Sequence, residues 1–279
     1  MSLAEDPYGM SKRLEFCSRI IVSFRPRFVI DVGCGTGEHL TRPLANRFPE
    51  ARFLGVDSDL ESIRYARAGA IPSNLSFGAY KELSQVRNAS LIIVSEVIEH
   101  VESPEQFLAD ISSSLLLDGR IVLTTPNGYG PFEVASLVQT LLTLSGIFAL
   151  LRKAKRSLFG GAPPRSPDTL AVSPHVNFFT YGQILNVFAT AGFEVERYQA
   201  RTLLCGFGLD VLVRGLALEH WNARVADRLP PQFVSDWMFL LKRSVPRKVD
   251  LYRRGIVTRW RRSLNERQSK AGRHNGAHR

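Results

Sequence analysis

Glu96, Glu99 and His100 stand at i, i+3 and i+4 in the segment SEVIEHV. One helical turn at that spacing places three side chains on one face. Two carboxylates and an imidazole make a donor set for a divalent cation such as Mg2+, Mn2+ or Zn2+. His100 is equally a general base that needs no metal. A third reading is structural: Glu96 only touches a ligand, and His100 caps or packs. His175, in SPHVNFFTYGQI, precedes a helix expected from Thr180. Both segments belong above the carboxyl ends of the fourth and fifth expected strands, so His175 is the fourth candidate. His39 and His220 have no partners in the pattern.

The second chemical feature is FVIDVGCGTG, residues 28–37. It reads as a strand, a glycine turn and a helix. Glycines at 33, 35 and 37 admit positive φ and close approach of a ligand. The turn lies at the carboxyl end of a parallel strand, where open α/β sheets bind small molecules. The spacing G-x-G-x-G is neither the dinucleotide fingerprint nor a P-loop, because no Lys follows Gly37. Asp31 would sit against a pyrophosphate as like charge against like, so a cationic or zwitterionic ligand suits the turn better. Asp57 ends a second apolar run in GVDSD, where one carboxylate accepts both hydroxyls of a ribose diol. Asp59 suits a capping role for the helix from Leu60.

FVIDVGCGTG, Asp57 and SEVIEHV together resemble the class I S-adenosylmethionine-dependent methyltransferases, in particular methyltransferase domains of the type 11/23 kind. The resemblance runs from about Ile20 to Tyr198. It implies S-adenosylmethionine as cofactor, with Asp31, Gly33, Cys34, Gly35, Gly37, Asp57, Ser58 and Ser95 around it. An acid near the adenine after the third strand is common in that family. This chain has Gly78-Ala79-Tyr80 there and Glu82 slightly later, and Tyr80 either stacks on the adenine or packs.

The E-x-x-E-H motif is similar to that of the small-RNA 2′-O-methyltransferases and of the ubiquinone-biosynthesis O-methyltransferases. That likeness implies Glu96, Glu99, His100 and His175 as metal ligands, with Glu96, His100 and His175 catalytic. A methyl group would pass in line from sulfonium to oxygen, and a bound cation would lower the pKa of the accepting hydroxyl.

Charge is divided along the 279 residues. From Lys242 on there are 13 Lys and Arg against two Asp and Glu, leaving 23 against 24 before it. The body is therefore near neutral, and the net charge of +10 belongs to a basic tail. That tail is either a contact for anionic lipid or nucleic acid, or a solvated segment. Three scattered cysteines exclude a disulfide framework and point to a reducing, cytoplasmic compartment. Met1 to Tyr8 carries no apolar signal-peptide core.

The elements that must position these residues follow from periodicity. Met10–Phe24 has helical spacing. Strands are expected at 28–32, 51–56, 75–77, 91–95, 120–125, 193–204 and 237–242. Helices are expected at 38–48, 60–68, 104–117 with Ser103 as cap, and from Thr180 to the stop at Gly192. The alternation predicts an α/β, Rossmann-like, doubly wound sheet of seven mostly parallel strands. The resemblance puts the seventh antiparallel between the fifth and sixth. Helical insertions fall at about 128–174 and 206–234. The domain is expected to span 1–243, with a basic tail at 244–279.

Val134–Leu151 is almost wholly apolar and is followed by Arg152, Lys153, Lys155 and Arg156. A polar stripe of Ser136, Gln139, Thr140 and Thr143 favours an interfacial helix or a lid over a membrane span. The ubiquinone-pathway enzymes have an apolar insertion at a similar place. The leading expectation is thus an O-methyltransferase acting on a hydroxyl of a small, lipid-linked, lipophilic or glycosylated acceptor, in peripheral contact with a membrane through 134–156 and the tail. Alternatives are an RNA 2′-O-methyltransferase, which the neutral body disfavours, and a non-catalytic membrane-associated subunit that keeps the cofactor fold.

Overall fold

The structure, a computed structural model, describes residues 7–130, 176–204 and 213–244. Compact units are Met1–Arg243 and Ser244–Arg279, and the description below is of the first. His175, the apolar insertion 134–151, its basic flank and the tail from 245 lie outside the described residues.

Seven strands form one sheet in the order β3-β2-β1-β4-β5-β7-β6. They are β1 (Phe28–Val32), β2 (Arg52–Asp57), β3 (Leu75–Ala79), β4 (Ala89–Ser95), β5 (Leu115–Pro126), β6 (Phe193–Ala200) and β7 (Asp236–Arg243). The first five run parallel, and β7 is antiparallel to both β5 and β6. Among the described residues six helices flank the sheet: α1 (Pro7–Phe24), α2 (Thr41–Arg47), α3 (Leu60–Ala68), α4 (Pro104–Ser112), α5 (Tyr181–Thr190) and α6 (Glu219–Ala226).

Strand parity divides the core, because successive side chains point to opposite faces. Ile30 and Val32, Ile92 and Val94, Ile121 and Leu123, and Trp237 and Phe239 share one buried cluster with Leu108 of α4 and Phe188 of α5. Val29, Leu91, Ile93, Val122 and Met238 face the other way, onto Phe16 and Ile20 of α1 and Leu44 of α2. Asp31 has the parity of Val29. Its carboxylate therefore enters the α1 and α2 layer rather than solvent.

The order of strands reverses at β1 and β4. Val32 pairs with Val94 there, so the turns after both strands leave the sheet side by side. Adjacent strands are only about 4.8 Å apart. This is the crevice where open α/β sheets take ligands.

Four local expectations are corrected. Helix α2 starts at Thr41, not Glu38, because positive φ at Gly37 keeps the chain turning to Leu40. Helix α4 ends at Ser112, since Leu115 already pairs with Ala89 of β4. Ser103 precedes α4 without a side-chain cap bond, and Pro104 supplies the starting φ instead. Strand β6 stops at Ala200 rather than Leu204. Other local signals form as read. Asp59 caps α3 by accepting from the N–H groups of Glu61 and Ser62. Thr180 and Gln183 close a capping box on α5.

Candidate active site

Gly33, Gly35 and Gly37 all take positive φ, at 75°, 54° and 73°. The turn they form is enclosed by its neighbours. A Cβ on Gly33 would stand 2.3 Å from Val97 Cγ2, and one on Gly37 would stand 2.6 Å from the Phe77 ring. The turn therefore needs glycine at these positions for backbone shape and for space. Its contact with Val97 joins it to the segment that follows β4.

Asp57, at the end of β2, faces the same turn and is only 3% exposed. Its Oδ2 accepts the Gly35 N–H at 2.7 Å, and its Oδ1 accepts the Asp59 N–H at 2.8 Å. Each oxygen keeps lone pairs for the two hydroxyls of a ribose. Ser58, next to it, is exposed, and Cys34 is half-buried. Burial pushes the Cys34 thiol well above its ordinary range, so it packs as a small apolar group. Positive-φ glycines in a tight turn and a carboxylate aimed at it fit S-adenosylmethionine, whose zwitterionic end and ribose need those two features.

Asp31 lies beneath the turn and accepts the Thr41 hydroxyl at 2.6 Å. Burial pushes its carboxyl up to about 6, against the opposing effects of the Thr41 bond and the buried Arg13 guanidinium of α1. Sequence reasoning missed Arg13. It is a lone cation on the apolar face of a helix, and only the parity of Asp31 shows why it is tolerated there.

Tyr80 stacks on Phe107, with ring centroids 6.3 Å apart. It opens a 3-10 turn, Tyr80–Gln85, that carries Glu82 back over the end of β3. A Cβ on Gly78 would stand 2.6 Å from Glu82 Oε2. The acid that is late in sequence is thus returned to the strand end.

The residues of the SEVIEHV motif lie at and after the end of β4. Ser95 and Thr124 share a hydroxyl contact of 2.9 Å across β4 and β5. Glu96 takes a left-handed backbone, φ 56°, unusual for a non-glycine and costly unless held. It is held twice: its N–H donates to the Thr124 carbonyl at 3.0 Å, and Thr124 Oγ1 donates to Glu96 Oε1 at 2.6 Å. The chain then enters a 3-10 turn, Ile98–His100. The α-helical turn expected to align Glu96, Glu99 and His100 on one face is not formed, because Glu96 stands before the helix in a non-helical conformation.

The three side chains differ in environment. Glu96 keeps 27% of its side chain exposed and His100 is half-buried, but Glu99 is 1% exposed. Burial, and then the Glu96 charge, push the Glu99 carboxyl well above the ordinary range; Thr125 and Arg201 oppose this. Thr125 Oγ1 donates to Glu99 Oε2 at 3.3 Å. The Glu99 carbonyl accepts the N–H groups of Val176 and Asn177, both at 2.9 Å, so the chain returns from the insertion directly onto this turn.

Two further charges complete the cluster. Asp236 opens β7 and is 2% exposed, and Arg201 follows β6 and is 6% exposed. Their side chains pair at 2.7 Å, and Arg201 Nη1 lies 3.6 Å from Glu96 Oε1. Thr202 Oγ1 donates to Asp236 Oδ2 at 3.3 Å. Neither residue was singled out from sequence. An acid directly before the apolar run WMFLL was the one available signal, since a charge at the mouth of a buried strand needs a partner.

Among the described residues no group of three or more His, Cys, Asp or Glu side chains converges as a metal site. Glu96 Oε1 lies 3.6 Å from the Arg201 guanidinium, and the fourth candidate ligand, His175, lies outside the described residues.

Residues 3–198 match the family model of a methyltransferase domain. Ubiquinone biosynthesis O-methyltransferases of Rickettsia felis and Rickettsia conorii are each 29% identical over 100 residues, 36% of this chain. The chain spans 41% and 35% of their lengths. Trans-aconitate 2-methyltransferase of Pseudomonas aeruginosa is 30% identical over 228 residues, 81% of this chain and 78% of the relative. Among solved structures, the plantazolicin methyltransferase BpumL, in complex with S-adenosylhomocysteine (SAH) and a triazolic desmethylPZN analog, superposes with a TM-score of 0.51. It is 16% identical, and the match covers 86% of this chain and 87% of that one. That likeness is one of fold. The chain belongs to the methyltransferase domain family, of the S-adenosylmethionine-dependent class I kind.

Proposed function

We propose that this protein transfers the methyl group of S-adenosylmethionine to a hydroxyl oxygen of a small or lipid-linked acceptor, with Glu96 taking the proton. The observation that carries the reading is the position of Glu96. It is the partly exposed carboxylate of the cluster, and it directly precedes Val97, which packs on Gly33 of the cofactor turn. Gly33, Cys34, Gly35, Gly37, Asp57, Ser58 and Ser95 would hold the cofactor, with Glu82 at the adenine side. When bound, S-adenosylmethionine supplies an electrophilic methyl carbon on a sulfonium.

Glu96, fixed by Thr124, accepts a hydrogen bond from the acceptor hydroxyl and orients its oxygen lone pair toward that methyl. Glu96 would take the hydroxyl proton as the oxygen accepts the methyl group, and S-adenosylhomocysteine would be the leaving group. Burial of Glu99 beneath it favours the protonated form of that carboxyl. In this reading His100, half-buried in the same turn, would carry the proton onward. A metal-assisted version of this reading rests on His175, outside the described residues.

A lipophilic acceptor is supported by the two ends of the 131–175 insertion. Tyr129 is 64% exposed, Val176 55% and Phe178 48%, a group of large apolar side chains beside the Glu99 turn. No described helix is long and apolar enough to cross a membrane. Peripheral contact through 134–156 and the tail is part of the same proposal.

The test is methyl transfer from labelled S-adenosylmethionine into separated lipid, small-metabolite and RNA fractions. Label in a lipid or small-molecule ether, lost in Glu96→Gln, is the expected result. Label confined to RNA or to nitrogen overturns the reading.

A further inference from the structure

We propose that the outer face of α6 and the cleft beside it bind an anionic phospholipid surface, with the Trp221 indole at the headgroup boundary and the Arg19 and Arg224 guanidiniums on lipid phosphate. This rests on the peripheral-contact part of the reading above and adds to it a surface of the described fold.

The helix has three different faces. Asn222, Ala223 and Ala226 are buried and fix it to the fold. Asn222 Oδ1 accepts the N–H groups of Leu203 and Leu204 at 3.2 and 2.8 Å, and its Nδ2 donates to the Leu204 carbonyl at 2.9 Å. With that side tied down, the direction of the other two is set. Leu218, Trp221 and Val225 stand at i, i+3 and i+7 and form an apolar stripe on a second side. Trp221 is 50% exposed and Leu218 37%. A single exposed apolar side chain is ordinary, but a helical stripe that includes tryptophan is an interfacial pattern.

His220, Arg224 and Asp227 make the third face. It lines a cleft of about 310 Å3 together with Lys12, Glu15 and Arg19 of α1. Both acids of the cleft have cationic partners: Asp227 pairs with Lys12 at 2.9 Å and Glu15 with Arg47 at 3.2 Å. Arg19 donates to the neutral Gln199 amide oxygen at 2.8 Å, and among the described residues neither Arg19 nor Arg224 has a carboxylate partner. The cleft therefore holds uncompensated positive charge, the complement of a phosphate.

Arg224 joins the cleft to the stripe. It follows Trp221 by three residues, and Arg228 comes one turn later. Tryptophan beside arginines suits the boundary where acyl chains meet anionic headgroups, because the indole has an apolar body and a polar N–H. A soluble phosphate would occupy the cleft and leave the stripe in water, whereas a lipid surface covers both.

The test uses the full chain with Trp260→Phe. Emission changes then report Trp221, since Trp237, the remaining tryptophan, is fully buried. On phosphatidylglycerol vesicles the emission should move to shorter wavelength and be quenched by brominated acyl chains, and Trp221→Phe should remove both effects. Phosphatidylcholine vesicles and inorganic phosphate should leave the emission unchanged. Arg19→Gln and Arg224→Gln, at exposed positions, should each weaken vesicle binding about fivefold, the effect of one cation at an anionic surface. Thermal melting establishes that each variant is folded. Vesicle binding with an unshifted, unquenched Trp221 means that the tail or residues 134–156 carry the contact alone, and it overturns the proposal. So does undiminished affinity in both arginine variants. A shift produced by phosphate alone, or one that grows with protein concentration in the absence of vesicles, also overturns it, by marking a soluble anion or a second copy as the occupant. Failure of the peripheral-contact reading itself shows differently, as no co-sedimentation of the chain with either vesicle, which overturns both.

Discussion

The Gly35 backbone N–H donates to Asp57 Oδ2 at 2.7 Å, so the carboxylate at the end of β2 also holds the glycine turn after β1. One residue shapes the turn and, in the proposed reading, would offer a ribose its acceptor oxygens. Asp57→Ala removes two backbone hydrogen bonds to a charged group, each worth about 1.5–3 kcal/mol. S-adenosylmethionine affinity by calorimetry should fall at least about tenfold, alongside a stability loss of about 3–6 kcal/mol in urea. Affinity equal to wild type would remove Asp57 from its assigned role.

Gly33 and Val97 couple the donor turn to the acceptor segment. Gly33→Ala meets both a left-handed backbone and the Val97 methyl, with an expected cost of about 2–4 kcal/mol. Val97→Ala in that background relieves the overlap and leaves the backbone strain. A double-mutant cycle should therefore show partial recovery. Strict additivity would mean that the two segments are not in contact in solution.

Glu96→Gln keeps the shape of the side chain and removes the base. Turnover should drop about a hundredfold or more with S-adenosylmethionine affinity unchanged. A loss of affinity equal to the loss of rate would place Glu96 on the cofactor rather than on the acceptor.

Asp31 makes stability depend on pH. Burial raises its carboxyl from 3.8 to about 6, so the folded state holds the proton more tightly than the unfolded chain. The stabilisation is complete below about pH 4 and is lost as pH rises through about 6. Relative to Asp31→Asn, the wild type should lose about 2–3 kcal/mol between pH 4 and pH 7. Parallel urea midpoints for the two proteins across that range would contradict the assignment.

Much of the fold and of the donor end was legible in sequence. The φ freedom of Gly33, Gly35 and Gly37, the alternation along β1 and β4, the cap at Asp59 and the acid closing β2 are local. Each is set by a residue's own backbone preference or by neighbours a few positions away, and spacing records such effects. The order of elements then restricts how parallel strands can assemble, which is why the parallel sheet was expected before any contact was known.

The acceptor end was decided by tertiary structure. Arg201 and Asp236 are far from Glu96 in sequence and fall in no motif, yet burial obliges each charge to find an opposite one, and the antiparallel pairing of β6 with β7 brings them together. The same packing returns Glu82 to the end of β3 and sets Arg13 against Asp31. Spacing alone suggested one helical face for Glu96, Glu99 and His100. The Thr124 bonds on β5 hold Glu96 in a left-handed conformation and divide the set into an open carboxylate and a buried one. Which of two identical side chains is buried depends on how distant segments pack, and that is a property of the folded chain.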